Sequence, residues 1–184
     1  MAEPGKTSGI GQRIKELRRR RGYRSTTELA ERVLGGNVTA AVLENIESGR
    51  KADLSVSQLL NIARALRVPP AYLLADITAP GSSLDLPNLS DDFAEMTAGE
   101  FEAWFSGTLA GDYRSPDPDE RLDLLQLEAY RTLSRLRREM VRQAAANEAL
   151  RDQGVSAQGS RSVALEAEAA ELEDYLQRAG WTIS

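Results

Sequence analysis

"VTAAVLENIESGRK", residues 38–51, decides how the front half of the chain is read. Thr39 is a residue type that caps a helix start through its side-chain oxygen. Gly49 suits a helix stop, and Arg50 and Lys51 follow it directly. Between these ends, Val42 or Leu43 and Ile46 mark an inward face. The first turn, Ala40-Ala41-Val42, holds no side chain able to hydrogen-bond. Either it meets a surface that takes small apolar groups, or it is core.

Working outward, Ile10, Ile14 and Leu17 recur at steps of four and three, one face of a helix that Gly22 ends after a run of arginines. "STTE", Ser25 to Glu28, is a capping box opening a helix with Leu29, Ala30 and Val33 inward. "GGN" at 35–37 is a turn. "SVSQ", Ser55 to Gln58, is a second capping box, and its helix buries Leu59, Leu60, Ile62, Ala63 and Leu66. Pro69 and Pro70 break it, and "AYLLAD" forms a last short helix. Five short helices, the second and third joined by a turn, are the arrangement of a helix-turn-helix module.

On "RIKELRRRRG" (13–22), "TELAERV" (27–33), "VLENIESGRK" (42–51) and "LLNIARALRVPPAYLL" (59–74), residues 10–76 resemble the Cro and phage-repressor type regulators, also called the xenobiotic-response-element family. Two stretches depart from that pattern. "VLGGNV" is about three residues longer than the usual turn, and "GYRSTTEL" about one residue longer before the second helix.

The resemblance implies that the third helix lies in the major groove of double-stranded DNA. The base-facing positions are then Ala40, Ala41, Val42, Glu44 and Asn45. Alanine and valine pack on thymine methyls, Asn pairs with adenine, and Glu accepts from cytosine. The alternative is that Ala40 and Ala41 pack against the long turn and reading shifts to Arg50 or an N-terminal arm. Phosphate contacts are expected from Arg24, Ser25, Thr26, Thr39, Arg50 and Lys51. The resemblance also implies that Arg18 pairs internally with Glu47 rather than touching DNA.

The back half reads differently. Residues 1–9 are expected to be a flexible arm, 10–76 the DNA-binding domain and 77–96 a linker, with a helical region over 97–184. "TAGE" opens a helix at about 98–106 in which Phe101, Trp104 and Phe105 share a face. That face suits docking on either half, or else a small-molecule or partner site. "DPDE" starts a helix at about 118–151, and a second runs over about 163–179 after the loop "QGVSAQGS". The first is rich in arginine and the second in glutamate, which suits an antiparallel hairpin. A lone hairpin buries little, so it is expected to pair with a second copy, making a homodimer. The residues expected at that seam are Leu122, Leu125, Leu133, Leu136, Met140, Leu165, Leu172 and Leu176. The competing expectation is that the hairpin folds onto its own front half. The fold class is therefore all-α: a five-helix helix-turn-helix domain, a short aromatic helix and a long antiparallel hairpin.

Composition bounds the function. With no cysteine and no histidine, disulfides, the usual zinc sites and Ser-His or Cys-His catalysis are excluded. Residues 1–76 carry 13 Lys/Arg against 8 Asp/Glu, or +5, while residues 77–184 carry 10 against 20, or −10. A basic front and an acidic back are expected when one half meets a polyanion. No apolar run nears the ~20 residues needed to span a bilayer. "MAEPGKTSGIGQ" lacks a signal-type apolar core, so a cytoplasmic protein with no membrane partner is expected. No cofactor or metal is expected, nor an enzyme: the pair Asp91-Asp92 sits in polar sequence and is most simply solvated. The leading expectation is a sequence-specific DNA-binding regulator acting as a repressor, of phage immunity type or a host regulator. Lysine is absent after Lys51, so self-cleavage by a Ser-Lys pair is unavailable. The alternative is an antitoxin-like or anchoring module whose acidic half binds a protein partner.

Overall fold

A computed structural model describes residues 9–152 and 160–183, and the chain forms two compact units over them. The expected arm lies almost wholly outside the described residues, as does the loop "QGVSAQGS" up to Gly159. The described chain is helical throughout, with α1 (Ile10–Arg20), α2 (Thr26–Ala30), α3 (Ala40–Glu47), α4 (Val56–Leu66) and α5 (Ala71–Leu74) first. Then come α6 (Ala98–Ser106), α7 (Pro118–Asp152) and α8 (Ser160–Arg178). A short 3-10 turn spans Asp91–Phe93, and one isolated antiparallel bridge joins Ser83 to Thr97.

In the first unit, α1 to α5 bury Ile14, Leu17, Leu29, Leu43, Ile46 and Ile62 in one core, while Leu60, expected inward, is exposed because it falls on the outer face of α4. The capping box at Ser55 and Gln58 forms as written in the sequence. At the earlier box, the Ser25 Oγ accepts from Glu28 N–H, but Glu28 reaches one residue further back, to the Arg24 N–H at 2.7 Å. α2 stops at Ala30, so Val33 is buried from the turn rather than from the helix. Gly11 sets the spacing of α1 and α3: a Cβ there would clash with the backbone oxygen of Ile46.

Residues 77–96 are not a free linker. Ile77, Leu84, Leu86, Phe93 and Met96 pack with Ala75, Ala98 and Phe101 in a second core of the same unit. Ala98 N–H and Gly99 N–H donate to the carbonyls of Ser82 and Pro80, each at 2.8 Å. Two prolines and polar residues gave this segment a linker's composition, yet of its large apolar residues only Leu89 is left exposed. The aromatic helix therefore docks on the front half. Its Phe101 is buried, Trp104 meets Phe93 edge-on at 5.3 Å, and only Phe105 stays exposed.

The second unit is the hairpin with residues 107–110 and 114–117. Trp181 Nε1 donates to Gln126 at 2.8 Å and Arg137 meets Glu173 at 3.0 Å, so α7 and α8 run antiparallel. Leu133, Leu136, Ala169 and Leu176 form its core, with Met140, Leu165 and Leu172 half-buried around them. Six of the residues expected at a seam between copies thus meet within one chain, Leu133, Leu136 and Met140 from α7 against Leu165, Leu172 and Leu176 from α8. Leu122 and Leu125 lie on the same stripe of α7, ahead of where Trp181 and Ile183 end the cover, and are 48% and 52% exposed.

Candidate nucleic-acid interface

α3 begins on the Thr39 cap, whose Oγ1 accepts from Val42 N–H at 3.3 Å. Its first turn is split by the packing. Ala41 is exposed, Ala40 is half-buried, and Val42 rests partly on the core. The alternative of core packing thus holds in part for Val42, while Ala41 presents its methyl outward. Glu44 is exposed and accepts from the Thr26 hydroxyl at 3.3 Å, tying α3 to the start of α2.

Asn45 is less free than its expected role requires. Its Oδ1 accepts from Arg50 Nε at 2.9 Å, and its carbonyl takes the Lys51 N–H at 2.9 Å. A bidentate pair with adenine needs both ends of the amide. In this arrangement only the Nδ2 end is unoccupied, and Arg50 must release the other end before Asn45 reads a base. Sequence spacing gave no warning, since the contact depends on the turn that Gly49 makes at φ 75°.

Around α3, Arg24, Arg50 and Ser25 are exposed, Thr39 is exposed beside the first turn, and Lys51 is half-buried. α2 is only five residues long, so its dipole is small, and a phosphate there would be held by local N–H and hydroxyl donors. The Thr26 hydroxyl is already spent on Glu44, while the Ser25 Oγ, accepting from Glu28 N–H, still has its proton to donate.

Behind this face stands the ion pair that the resemblance implied. Arg18 Nε donates to Glu47 Oε1 at 2.6 Å and Nη2 to Oε2 at 2.8 Å, with side chains only 6% and 7% exposed. Its Nη1 donates to the Tyr23 carbonyl at 2.9 Å, so one guanidinium fixes the exit of α1 and the end of α3. The Glu47 carboxylate holds the Arg18 pKa above its ordinary value, outweighing the opposing effect of burial.

Residues 10–74 match the family model of a helix-turn-helix domain. No curated protein and no solved structure matches the chain. The five-helix segment is thus a helix-turn-helix of the DNA-binding kind, with α2 and α3 as its paired helices. The turn of this helix-turn-helix is long but not slack. Asn37 donates to Ser57 Oγ at 2.8 Å and accepts from Asn61 Nδ2 at 3.0 Å, and its carbonyl takes Gln58 Nε2 at 3.0 Å. Three bonds to α4 therefore hold the residues that lead into α3.

Sequence reading missed Arg13. It is buried, and its Nε and Nη2 donate to the carbonyls of Leu73 and Leu74 at 2.9 and 2.8 Å. Its Nη1 meets both oxygens of Asp85 at 2.7 Å. This residue closes the end of α5 and fastens the 77–96 segment to the helix-turn-helix. The signal was present: Arg13 falls on the apolar face of Ile10, Ile14 and Leu17, and Asp85 lies between two leucines. A charge in each apolar pattern, of opposite sign, is what a buried pair looks like in sequence. Among the described residues no group of metal-binding side chains converges, and no helix is long and apolar enough to cross a membrane.

Proposed function

We propose that this protein is a sequence-specific transcription regulator of the Cro and phage-repressor type, acting in the cytoplasm as a homodimer. It represses by holding its operator. The observation that carries the reading is the first turn of α3, small and presenting Ala41, with Arg24, Arg50 and Lys51 around it. In this reading α3 enters the major groove, Ala41 meets a thymine methyl, and Glu44 and the Asn45 amide supply polar contacts. Phosphate contacts from Arg24, Ser25, Thr39, Arg50 and Lys51 set the register. The protein is a binding protein and not an enzyme, consistent with a sequence holding neither histidine nor cysteine.

Dimerisation is assigned to the exposed stripe at Leu122 and Leu125 rather than to the leucines the hairpin uses itself. Two copies would present two recognition helices to half-sites about one DNA turn apart. The test is Ala41→Glu on DNA selected from a random pool by the wild-type protein. A glutamate near a helix start is compatible with the fold. It should keep the melting curve and abolish selective binding, whereas selective binding unchanged by it would remove α3 from the groove. Sedimentation of Leu122→Glu/Leu125→Glu should show a monomer where the wild type is a dimer.

A second reading rests on α8, where Glu166, Glu168 and Glu171 are exposed. An acidic face of this kind suits a basic protein partner, as in an antitoxin-like or anchoring module. Wild-type protein that showed no preference for any DNA sequence would favour it.

A further inference from the structure

A cleft of about 540 Å³ opens in the first unit, and no residue of α3 lines it. Arg21 comes from the exit of α1, Arg32 and Leu34 from the turn after α2, and Arg64 and Arg67 from the end of α4. Tyr23 adds an aromatic wall, and no carboxylate lines the cleft. The side chains of Arg32, Arg64 and Arg67 make no hydrogen bond or ion pair among the described residues. Arg21 Nη2 donates to the Arg67 carbonyl at 3.3 Å, which ties two of the walls together.

Four like charges around one concavity repel one another and raise its positive potential. Two further features are unexplained by DNA reading. Residues 31–39, between α2 and α3, outrun the three or four residues a helix-turn-helix turn needs. The excess places Leu34, 84% exposed, at the cleft with Arg32. Arg67 caps α4 at φ 55°, a left-handed position that glycine fills at lower cost. Glycine would have ended the helix without adding a fourth guanidinium.

We propose that this cleft is a binding site for a small molecule carrying clustered phosphates, of nucleotide size. The volume falls in the range of small-ligand sites. Guanidinium groups take phosphate oxygens in pairs, so several arginines suit several phosphates better than one carboxylate. Tyr23 and Leu34 offer apolar surface to the ligand's organic part. None of the residues assigned to bases or DNA phosphates lines the cleft, so the site is separate from the duplex-reading face.

The test is calorimetric titration of the full chain with ATP, with adenosine as the uncharged comparison, at physiological salt. Saturable binding of ATP to one site per chain is expected, with adenosine at least about tenfold weaker. Arg64→Gln/Arg67→Gly should weaken ATP by about 10- to 100-fold. Arg67→Gly alone should raise the melting temperature by relieving the left-handed position, which separates lost binding from lost fold. Arg138→Gln, an exposed arginine on α7, should leave ATP binding unchanged. Absence of saturable ATP binding overturns the proposal, as does equal binding of adenosine. So does an equal loss in Arg64→Gln/Arg67→Gly and Arg138→Gln, which would indicate diffuse charge. If the double variant instead weakens duplex DNA and leaves ATP untouched, the arginines belong to the DNA footprint and the proposal falls.

Discussion

Replacing Arg18 with alanine leaves the Glu47 carboxylate, 7% exposed, without the two donors that neutralise it. It also strips the Tyr23 carbonyl of its Nη1 partner. Breaking a buried pair by removing one member typically costs about 3–5 kcal/mol, because the remaining charge has no compensation. In a unit of this size each kcal/mol moves the melting temperature by about 4–8 °C, so a fall of about 12–40 °C is expected. The raised Arg18 pKa is a linkage statement as well. A cation with a raised folded pKa contributes stability that is whole below its unfolded value and is lost only as pH rises through the folded value. The Arg18 contribution is therefore flat across the neutral range. The assay is a thermal melt by circular dichroism, with duplex binding measured below the midpoint of each variant. Arg18→Met/Glu47→Leu, which removes both charges, should recover much of the loss. A wild-type melt for Arg18→Ala together with weakened DNA binding would refute the reasoning and make Arg18 a DNA contact.

Asp85→Ala should destabilise the first unit by about 3 kcal/mol in a denaturant titration, since it removes the carboxylate that neutralises the buried Arg13 guanidinium. It should also expose the 77–96 segment to limited proteolysis. Gly11→Ala forces α1 away from the Ile46 carbonyl, and a loss of about 1–3 kcal/mol is expected by the same titration. The Glu100 pKa is lowered by the Thr97 backbone N–H and then by the Thr97 hydroxyl. Its contribution to the α6 start is thus present above the ordinary value of 4.5 and lost as pH falls through the folded value. Glu100→Gln should flatten the acid limb of the melting temperature below that pH, and an unchanged limb would contradict this.

The elements legible in the sequence were those with local causes. Periodic apolar residues and capping boxes at Ser55 and Thr97 fix their helices within a few residues, and both boxes form in the structure. What escaped depends on distant partners. Arg13 and Asp85 lie 72 residues apart, and neither alone announces a buried pair. The 77–96 segment reads as polar until its leucines find Phe101 and Ala75. In the interface, exposure of Ala41 followed from the helix register, but the grip of Arg50 on Asn45 needed the three-dimensional turn. The hairpin was visible as two apolar stripes, whereas which of their leucines it would cover itself was not. Leu133 and Leu122 share a stripe, and only the reach of α8 separates them.

Selective DNA binding through α3 is best measured in a salt series. The full chain and a fragment ending at residue 113, which keeps the first unit whole, would be titrated against the gene's own upstream DNA and a random duplex. With three phosphate-facing cations per copy and two copies bound, log affinity should fall against log salt with a slope of about −5 for the full chain. A clear preference for the upstream DNA is expected, with weaker binding and a shallower slope for the fragment. Equal affinity of the full chain for both duplexes would contradict it.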